Sequence, residues 1–466
     1  MTSTNQITTI SPSTEERIST FEIIGKEEID RKIQQSKITF PEWKKSYENR
    51  RGYVYKLAQY LRKNKSTLAK AVTQEMGKII REAEAEVEKC AWVMEYYADH
   101  GINFISDEIL NTDARKSFVS FEPLGTIASI MPWNFPYWQA MRFAAPALLA
   151  GNTIVMKPSS VTPQCGVELE KAFVAAGFPE GVFQVAIGNY TASNHLIDGN
   201  VNAVTFTGST NAGSQVAQRA TSQLKKCLLE LGGSDPFIVC SDADIEKASD
   251  GAIKGRFLNC GQSCIASKRF IVTKKVANEF IEKFVSKASK LKVGDPQSPE
   301  TDIGPLVNKA GLETISEIVE DAKRKGVEVL LGGSKIDRKG YYYSPTILTN
   351  PTQEMKVVTE ETFGPVAPVS VVEDEKEAIK LANSSEFGLG ASIWTQNLEK
   401  AEKISRQIEV GIVSVNNVVI SDPRIPFGGI KNSGFGRELS RYGMLEFVNI
   451  KSVRFYDSLI HEHYVE

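Results

Sequence analysis

Between residues 124 and 259, short apolar segments typical of buried strands alternate with segments of helical periodicity. This alternation constrains the fold strongly, because strands and helices in turn favour parallel β-α-β units. We therefore expect an α/β protein with a doubly wound parallel sheet. The strand-like segments are GTIASIMP, NTIVMKPS, VFQVAIG, AVTFTGS, KCLLELGG and DPFIVCS.

The same alternation recurs after Cys264 and predicts a second α/β domain. The strand-like KRFIVTK is followed by helical stretches over residues 276–291 and 309–325, and then by five more strand-like segments. The boundary between the two domains is expected near residues 232–244. Before them, residues 26–103 repeat apolar side chains at intervals of three and four, which predicts helices.

Two further strand-like segments lie before and after these domains. In KSFVSFEPLGTIASIMP an alternating pattern is broken at Pro123 and Gly125, which predicts a separate strand ahead of the strand GTIASIMP named above. Near the C-terminus, NIKSVRFY (449–456) predicts one more strand, and a late isolated strand of this kind often pairs with another domain or subunit.

Composition narrows the class of protein. The 466 residues carry 55 Lys and Arg against 57 Asp and Glu, a net charge of −2, so neither nucleic acid nor an anionic membrane is expected as a partner. The polar N-terminus does not resemble a secretory signal, and no run of about 18 apolar residues occurs. The 6 cysteines are too sparse for a disulfide framework, which favours a cytoplasmic location. The 4 histidines form no Cys/His cluster, so no metal site is expected, and His461 and His463 are read as solvent-exposed.

The segment FLNCGQSCIASKR makes Cys264 a candidate nucleophile. Gly261, Gln262 and Ser263 form a predicted turn, and a turn leading into a helix presents a thiol together with backbone N–H groups. Such groups lower a thiol pKa and bind an oxyanion. The alternative is a buried cysteine that serves as a small hydrophobe.

Glu230 is a candidate general base. It interrupts the apolar strand KCLLELGG, where a carboxylate is costly unless it is paired or used. Apolar surroundings raise a carboxyl pKa toward neutrality, which suits a general base. The alternative is an edge-strand residue that faces water.

Three more segments follow predicted strands at the edge where open sheets bind ligands. FTGSTNAGS has glycines at 208 and 213 but lacks the Gly-Lys-Ser/Thr of an ATP-binding loop, and no G-x-G-x-x-G occurs in the chain. Its turn still offers a helix N-terminus to a phosphate. Asn134, between two prolines, has an amide that can donate to an oxyanion, and Lys157 ends another strand. Each of these segments can also be an ordinary solvated loop.

Taken together, these motifs resemble the aldehyde dehydrogenase superfamily along nearly the whole chain. The resemblance rests on TIASIMPWNFP, VMKPSS, FTGST, LELGG, GQSC, EETFGP and PFGGIKNSGFGRE, in the family's order and spacing. It implies a Rossmann-like NAD(P) domain (1–101 and 124–232) and a catalytic domain (233–447). It also implies a β arm for oligomerisation (102–123 and 448–466), including a hairpin around residues 118–126, and hence a homodimer or homotetramer.

The resemblance also assigns roles to single residues. Cys264 matches the nucleophile, Glu230 the general base, and Asn134 the side-chain half of the oxyanion hole. The chemistry implied is oxidation of an aldehyde to an acid through a thiohemiacetal and a thioester. Cofactor contacts are implied for Pro132, Trp133, Lys157, Ser159, Ser160, Gly188, Gly208, Ser209, Leu231, Glu361 and Phe363.

Two positions depart from the family pattern. Where NAD-preferring members carry Glu three residues after the lysine, this chain has Ser160. The repulsion that a carboxylate exerts on a 2′-phosphate is therefore missing, and we expect NADP to be preferred, with NAD as a second option. Cys260 replaces a usual Thr, for which packing is favoured over a redox role.

The resemblance predicts that the substrate is succinate semialdehyde, which is oxidised to succinate. This prediction depends on Arg142, which falls where succinate-semialdehyde dehydrogenases resemble one another in using an arginine for the substrate carboxylate. Trp138 is expected beside it in the substrate site. A second arginine found in some members is replaced by Leu258, and Arg424 is a candidate substitute if its loop lines the pocket. Glyceraldehyde or another small aldehyde, a CoA-acylating reaction, and a non-catalytic structural relative remain as alternatives.

Overall fold

The computed structural model describes residues 5–457. Its strands are β1 (Gln6–Ile10), β2 (Arg17–Glu22), β3 (Glu108–Leu110), β4 (Lys116–Pro123), β5 (Thr126–Ile130), β6 (Thr153–Lys157), β7 (Phe183–Val185), β8 (Ala203–Thr207), β9 (Lys226–Glu230), β10 (Asp235–Val239), β11 (Ser267–Thr273), β12 (Glu328–Leu331), β13 (Thr346–Thr349), β14 (Val366–Val372), β15 (Phe387–Gly388), β16 (Gly390–Trp394), β17 (Ile412–Val415), β18 (Ile430–Lys431), β19 (Gly434–Phe435) and β20 (Val448–Phe455).

The helices are α1 (Lys26–Trp43), α2 (Tyr47–Lys63), α3 (Lys65–Met76), α4 (Ile80–Phe104), α5 (Trp138–Ala150), α6 (Pro163–Ala175), α7 (Tyr190–Asp198), α8 (Thr210–Thr221), α9 (Ile245–Phe257), α10 (Lys274–Ala288), α11 (Lys309–Arg324), α12 (Lys356–Thr359), α13 (Glu375–Asn383), α14 (Leu398–Ser405) and α15 (Ser440–Leu445). A short 3₁₀ helix covers Leu258–Gly261. Across residues 5–457 no helix is both long and apolar enough to cross a membrane.

The first large sheet has six strands in the order β19-β9-β8-β5-β6-β7. The five strands from β9 to β7 in this order run parallel to one another. Helices α2 to α6 pack on one face, and α1, α7 and α8 pack on the other. All side chains of β5, β6 and β8 are buried, as expected for parallel strands covered on both faces. The predicted doubly wound sheet is confirmed.

The second large sheet has seven strands in the order β12-β13-β14-β11-β10-β16-β17, of which only β12 is antiparallel. Helices α9, α10 and α11 cover one face, and α13 and α14 cover the other. Each large sheet therefore has its own apolar layers. The carboxyl end of β9 and the amino end of β11 bring the two sheets together at the candidate site.

A separate three-stranded antiparallel sheet has the order β20-β4-β3. The expected hairpin around residues 118–126 is wrong: β4 pairs with β20 and β3, whereas β5 pairs with β6 and β8. Gly125, at a φ of 132°, turns the chain from one sheet into another rather than back along the same sheet. The described part of the C-terminal strand does pair within this sheet. His461 and His463 lie outside the described residues.

Candidate active site

Cys264 lies between the 3₁₀ helix at Leu258–Gly261 and β11. No helix begins at Cys264, so the expected turn-to-helix arrangement is wrong. Instead Asn259, Cys260 and Gly261 all have left-handed backbone angles, with φ of 52°, 55° and 73°. The buried Arg256 donates to the Gly261 carbonyl at 2.8 Å and holds this strained segment in place.

The environment of the Cys264 sulfur favours the neutral thiol. Burial raises the pKa of Cys264 to about 12, although the cations Arg142 and Lys268 act in the opposite direction. The expected lowering of this pKa is therefore wrong for the resting site, because desolvation outweighs the nearby charges. The proton must leave for a base before the sulfur can attack. Among residues 5–457 nothing accepts a hydrogen bond from the Cys264 backbone N–H, which remains free to bind an oxyanion.

Glu230 is the last residue of β9 and is 2% exposed, so it does not face water at a sheet edge. Within the described chain neither carboxyl oxygen has a hydrogen-bond partner. Burial, with a further contribution from the charge of Glu438, raises the pKa of Glu230 well above its usual value. A Cβ on Gly428 would lie 2.7 Å from Glu230 Oε1, so a larger residue there would crowd the carboxyl group.

A buried ion pair lies beside Glu230. Arg142 on α5 is 1% exposed and pairs with the equally buried Glu438. The guanidinium carbon also lies 4.3 Å from the centre of the Phe427 ring. Arg142 Nη2 is buried and makes no hydrogen bond with any described residue, so this donor remains available.

Asn134 follows β5, and its side chain reaches the segment just before the nucleophile. Its Nδ2 donates to the Gln262 carbonyl at 3.2 Å. Asn259 Nδ2 donates back to the Asn134 carbonyl at 2.9 Å and also to Gln262 at 3.0 Å. This buried network joins the loop after β5 to the segment that carries Cys264.

Glu361 and Lys268 connect the loop that carries Glu361 to the segment around Cys264. Glu361 Oε1 accepts from the Gly233 N–H at 3.0 Å and lies 3.2 Å from Lys268 Nζ. Lys268 also donates to the Cys264 carbonyl at 2.7 Å. A Cβ at position 233 would lie 2.6 Å from that carbonyl, which explains why glycine stands at this close approach.

Two cavities meet at Cys264. One, of about 280 Å³, is lined by Pro132, Trp133, Asn134, Gln139, Thr207, Gly208, Ser209, Leu231, Gly232, Cys264, Glu361 and Phe363. The other, of about 290 Å³, contains Trp138, Arg142, Lys89, Ser421 and Leu258 among its walls and also reaches Cys264. Cys264 is thus accessible from two sides, one at the sheet edge and one among mostly apolar side chains.

The remaining predicted cofactor residues lie along the same edge of the six-stranded sheet. Lys157 ends β6, Ser159 and Ser160 follow it, and Gly188 follows β7. Burial lowers the pKa of Lys157 to about 8, and no described side chain hydrogen-bonds its ammonium. Ser209 caps α8 by accepting from the Ala212 N–H at 3.4 Å. An unpartnered buried lysine and a helix N-terminus at one edge fit a nucleotide with its phosphates.

Arg424 is not among the residues that line the cavity with Arg142 and Trp138, so it does not replace the missing second arginine. Its guanidinium is exposed and is held by Asp422, with Nε at 2.8 Å from Oδ1. Sequence reasoning missed several polar side chains that do line it, Lys89 and Ser421 among them. Neither carried a signal, because a single lysine on the amphipathic helix α4 reads as a solvated residue and an isolated loop serine carries no pattern.

These features, with a cysteine at the junction of two cavities, agree with a family match: residues 1–453 match the aldehyde dehydrogenase family. The chain belongs to this family. It is 47% identical over 449 residues to the probable NADP(+) succinate-semialdehyde dehydrogenase of Synechocystis sp., covering 96% of this chain and 99% of the relative. A succinic semialdehyde dehydrogenase structure from Streptococcus pyogenes in complex with NADP+ superposes with a TM-score of 0.94 at 35% identity, covering 97% and 100% of the two chains. A lactaldehyde dehydrogenase structure gives 0.94 at 33% identity, covering 98% and 97%.

Proposed function

We propose that this protein oxidises succinate semialdehyde to succinate with NADP. The observation that carries the proposal is the position of Cys264 at the junction of two cavities, one at the nucleotide-binding edge of a parallel sheet and one containing cationic side chains. The names of the relatives in Synechocystis and Streptococcus pyogenes point to the same substrate and cofactor.

In the proposed reaction Glu230, as the general base, takes the proton of the Cys264 thiol and passes it to solvent, and the sulfur bonds to the aldehyde carbon. The resulting thiohemiacetal oxyanion accepts hydrogen bonds from Asn134 Nδ2 and the Cys264 backbone N–H. A nicotinamide beside Cys264 would supply the hydride acceptor, and loss of hydride from the thiohemiacetal carbon would leave Cys264 carrying a thioester. Glu230 then takes a proton from water, which attacks the thioester, and the carboxylic acid leaves as the Cys264 thiol is restored.

The proposed cofactor site uses side chains on both sides of the nucleophile. Lys157 would bind the adenosine ribose, and Gly208 and Ser209 would receive the pyrophosphate at the start of α8. Glu361 would bind the nicotinamide ribose. The Trp133 and Phe363 rings pack edge to face with their centres 5.7 Å apart, and Phe363 together with the Leu231 carbonyl would help to place the nicotinamide.

Preference for NADP is supported by the absence of nearby acid around Lys157. Burial is the cause of its lowered pKa, and no described carboxylate acts on it. The exposed Ser160 likewise adds no negative charge where a 2′-phosphate would approach. A nucleotide with the extra phosphate would therefore meet cationic and neutral groups at this edge.

Selection of a carboxylated aldehyde is supported by Arg142. Its buried Nη2 lacks a hydrogen-bond partner among the described residues, and a substrate carboxylate would satisfy it. Because Glu438 already balances the guanidinium charge, Arg142 would contribute directed hydrogen bonds more than net charge. Trp138 would provide an apolar wall for the substrate carbons.

The test is formation of reduced cofactor by the purified protein with succinate semialdehyde, glyceraldehyde, lactaldehyde and butanal, each with NADP and with NAD. Succinate semialdehyde with NADP is expected to give the highest kcat/KM. Cys264→Ala should abolish oxidation of every aldehyde, and Arg142→Ala should raise the KM for succinate semialdehyde selectively. A preference for glyceraldehyde or lactaldehyde that Arg142→Ala leaves unchanged would overturn the proposed substrate.

We also propose that the three-stranded sheet is an oligomerisation arm, within the domain boundaries given above. Its two edge strands, β3 and β20, expose large apolar side chains, with Ile109 at 72% and Ile450 at 59% exposure. Exposed apolar groups on edge strands favour pairing with another chain. Sedimentation of the purified protein should give a dimer or tetramer, and Ile109→Lys together with Ile450→Lys should yield smaller species.

A further inference from the structure

The cavity on the substrate side of Cys264 contains a cation that no carboxylate balances. Lys89, on α4, donates to Ser421 Oγ at 2.7 Å, and its ammonium lies 4.3 Å from the centre of the Trp138 ring. Within residues 5–457 it forms no ion pair, and the two acids that act on it, Glu86 and Asp422, are paired with Lys78 and Arg424. A partly buried ammonium against apolar walls is stabilised by an anion more than by either of these neutral contacts.

The other charged groups that line this cavity have partners or lie in solvent. Glu82 accepts a hydrogen bond from the Asn259 N–H at 2.8 Å. Glu86 pairs with the buried Lys78 and accepts the Tyr137 N–H at 2.9 Å. Arg142 is balanced by Glu438, as described above. Lys254 is exposed at the mouth, where solvent screens its charge. An anion that enters the cavity therefore finds its counter-ion at Lys89.

We propose that Lys89 is a specificity-determining residue, whose ammonium and the adjacent Ser421 hydroxyl receive the carboxylate at the far end of the aldehyde substrate. This inference rests on the proposed function and gives it a second arm beside Arg142. One carboxylate oxygen faces the ammonium and the hydroxyl, while the other accepts from the guanidinium. The two contacts fix both the length and the charge of the accepted aldehyde.

The groups around Lys89 allow it to act as a reversible cation. Burial lowers its pKa to about 8, and Arg142 on α5 acts in the same direction. Glu86 and Cys90 on its own helix and Asp422 in the loop after β17 oppose this shift. These surroundings leave the ammonium charged at neutral pH, and a bound carboxylate would hold its proton more firmly.

The test compares succinate semialdehyde with butanal, a neutral aldehyde of the same length, by the ratio of their kcat/KM values. Lys89→Met keeps an unbranched side chain and removes the charge, and we expect the ratio to fall about tenfold to a hundredfold, mainly through the KM of succinate semialdehyde. Lys89→Arg restores a charged donor and should recover most of the ratio. Lys254→Met, the matched loss of a lysine at the mouth, should keep it within about twofold.

Each outcome decides the inference. If the wild type prefers succinate semialdehyde and Lys89→Met keeps that preference, the role of Lys89 is overturned while the proposed function stands. A wild type without any preference for succinate semialdehyde overturns both. Should Lys89→Met fail to fold, Ser421→Ala carries the test, since it deletes only a hydroxyl: a threefold to tenfold lower ratio is expected from a lost hydrogen bond, and an unchanged ratio counts against the inference.

Discussion

Substitution of Asn134 by alanine separates the chemistry of the site from its packing. Asn134 Nδ2 donates to Gln262, but the Gln262 carbonyl also accepts from Asn259 Nδ2 at 3.0 Å, so no buried acceptor is left without a partner. The folding cost is therefore that of one hydrogen bond and a small cavity, about 1–2 kcal/mol. The lost oxyanion donor costs more, about 3–4 kcal/mol in the barrier, or roughly a hundredfold to a thousandfold in rate.

The assay is stopped-flow formation of reduced cofactor, which reports formation of the thioester before hydrolysis. Alkylation of Cys264 by iodoacetamide and thermal unfolding monitor the integrity of the site. Asn397→Ala is the matched control, since Asn397 Oδ1 accepts from the Lys400 N–H at 3.0 Å at the start of α14 and its loss should cost about 1 kcal/mol of stability without slowing the reaction. If Asn134→Ala slows acylation less than about tenfold while alkylation is unchanged, Asn134 is not the oxyanion donor.

Three further predictions follow from the charges of the site. The preference for succinate semialdehyde over butanal should decline above pH about 8, as Lys89 loses its proton, and Lys89→Arg should remove this decline from the pH profiles of kcat/KM. Glu438→Gln removes a charge that raises the pKa of Glu230, so single-turnover thioester hydrolysis should begin to rise at lower pH, while the unbalanced Arg142 costs about 3–5 kcal/mol in denaturant unfolding. Ser160→Glu should raise the KM for NADP about tenfold relative to NAD, and an unchanged ratio would contradict the cofactor assignment.

The parts of the fold that the sequence predicts are those in which local pattern and burial agree. Strands β5 to β9 are apolar runs covered on both faces, and their sequences stand out from the helices between them. The sequence does not predict strands β1 and β2, because many of their side chains are polar and either exposed, as Thr8 is, or only partly covered, as Ser19 is. A two-stranded ribbon without a buried face leaves no alternating pattern to detect.

The other differences between the sequence-based predictions and the structure arise from contacts between residues that are far apart in the sequence. Pro123 and Gly125 signal a break in the chain, but a break alone does not tell whether the next strand returns to the same sheet. The partner of β4 is β20, which lies at the far end of the sequence. Likewise the motifs indicate Cys264 and Glu230 by residue type, whereas the partner of Arg142 is Glu438, on another element, and only the folded chain joins them.

The distribution of paired and unpaired charges also predicts how weakly the site binds its carboxylate product. The cations near Cys264 are balanced, Arg142 by Glu438 and Lys268 by Glu361, so a carboxylate formed at the sulfur meets no free counter-ion and lies close to Glu230. The far carboxylate, by contrast, would have partners in Lys89 and in the unpaired Arg142 Nη2, as proposed above. We therefore expect the dianion succinate to protect Cys264 from alkylation no better than the monoanion butyrate. Each can place one carboxylate at Lys89, but the second carboxylate of succinate would lie at the reaction centre, where no free cation attracts it. Protection by succinate that is tenfold stronger would show that a free cation does face the reaction centre.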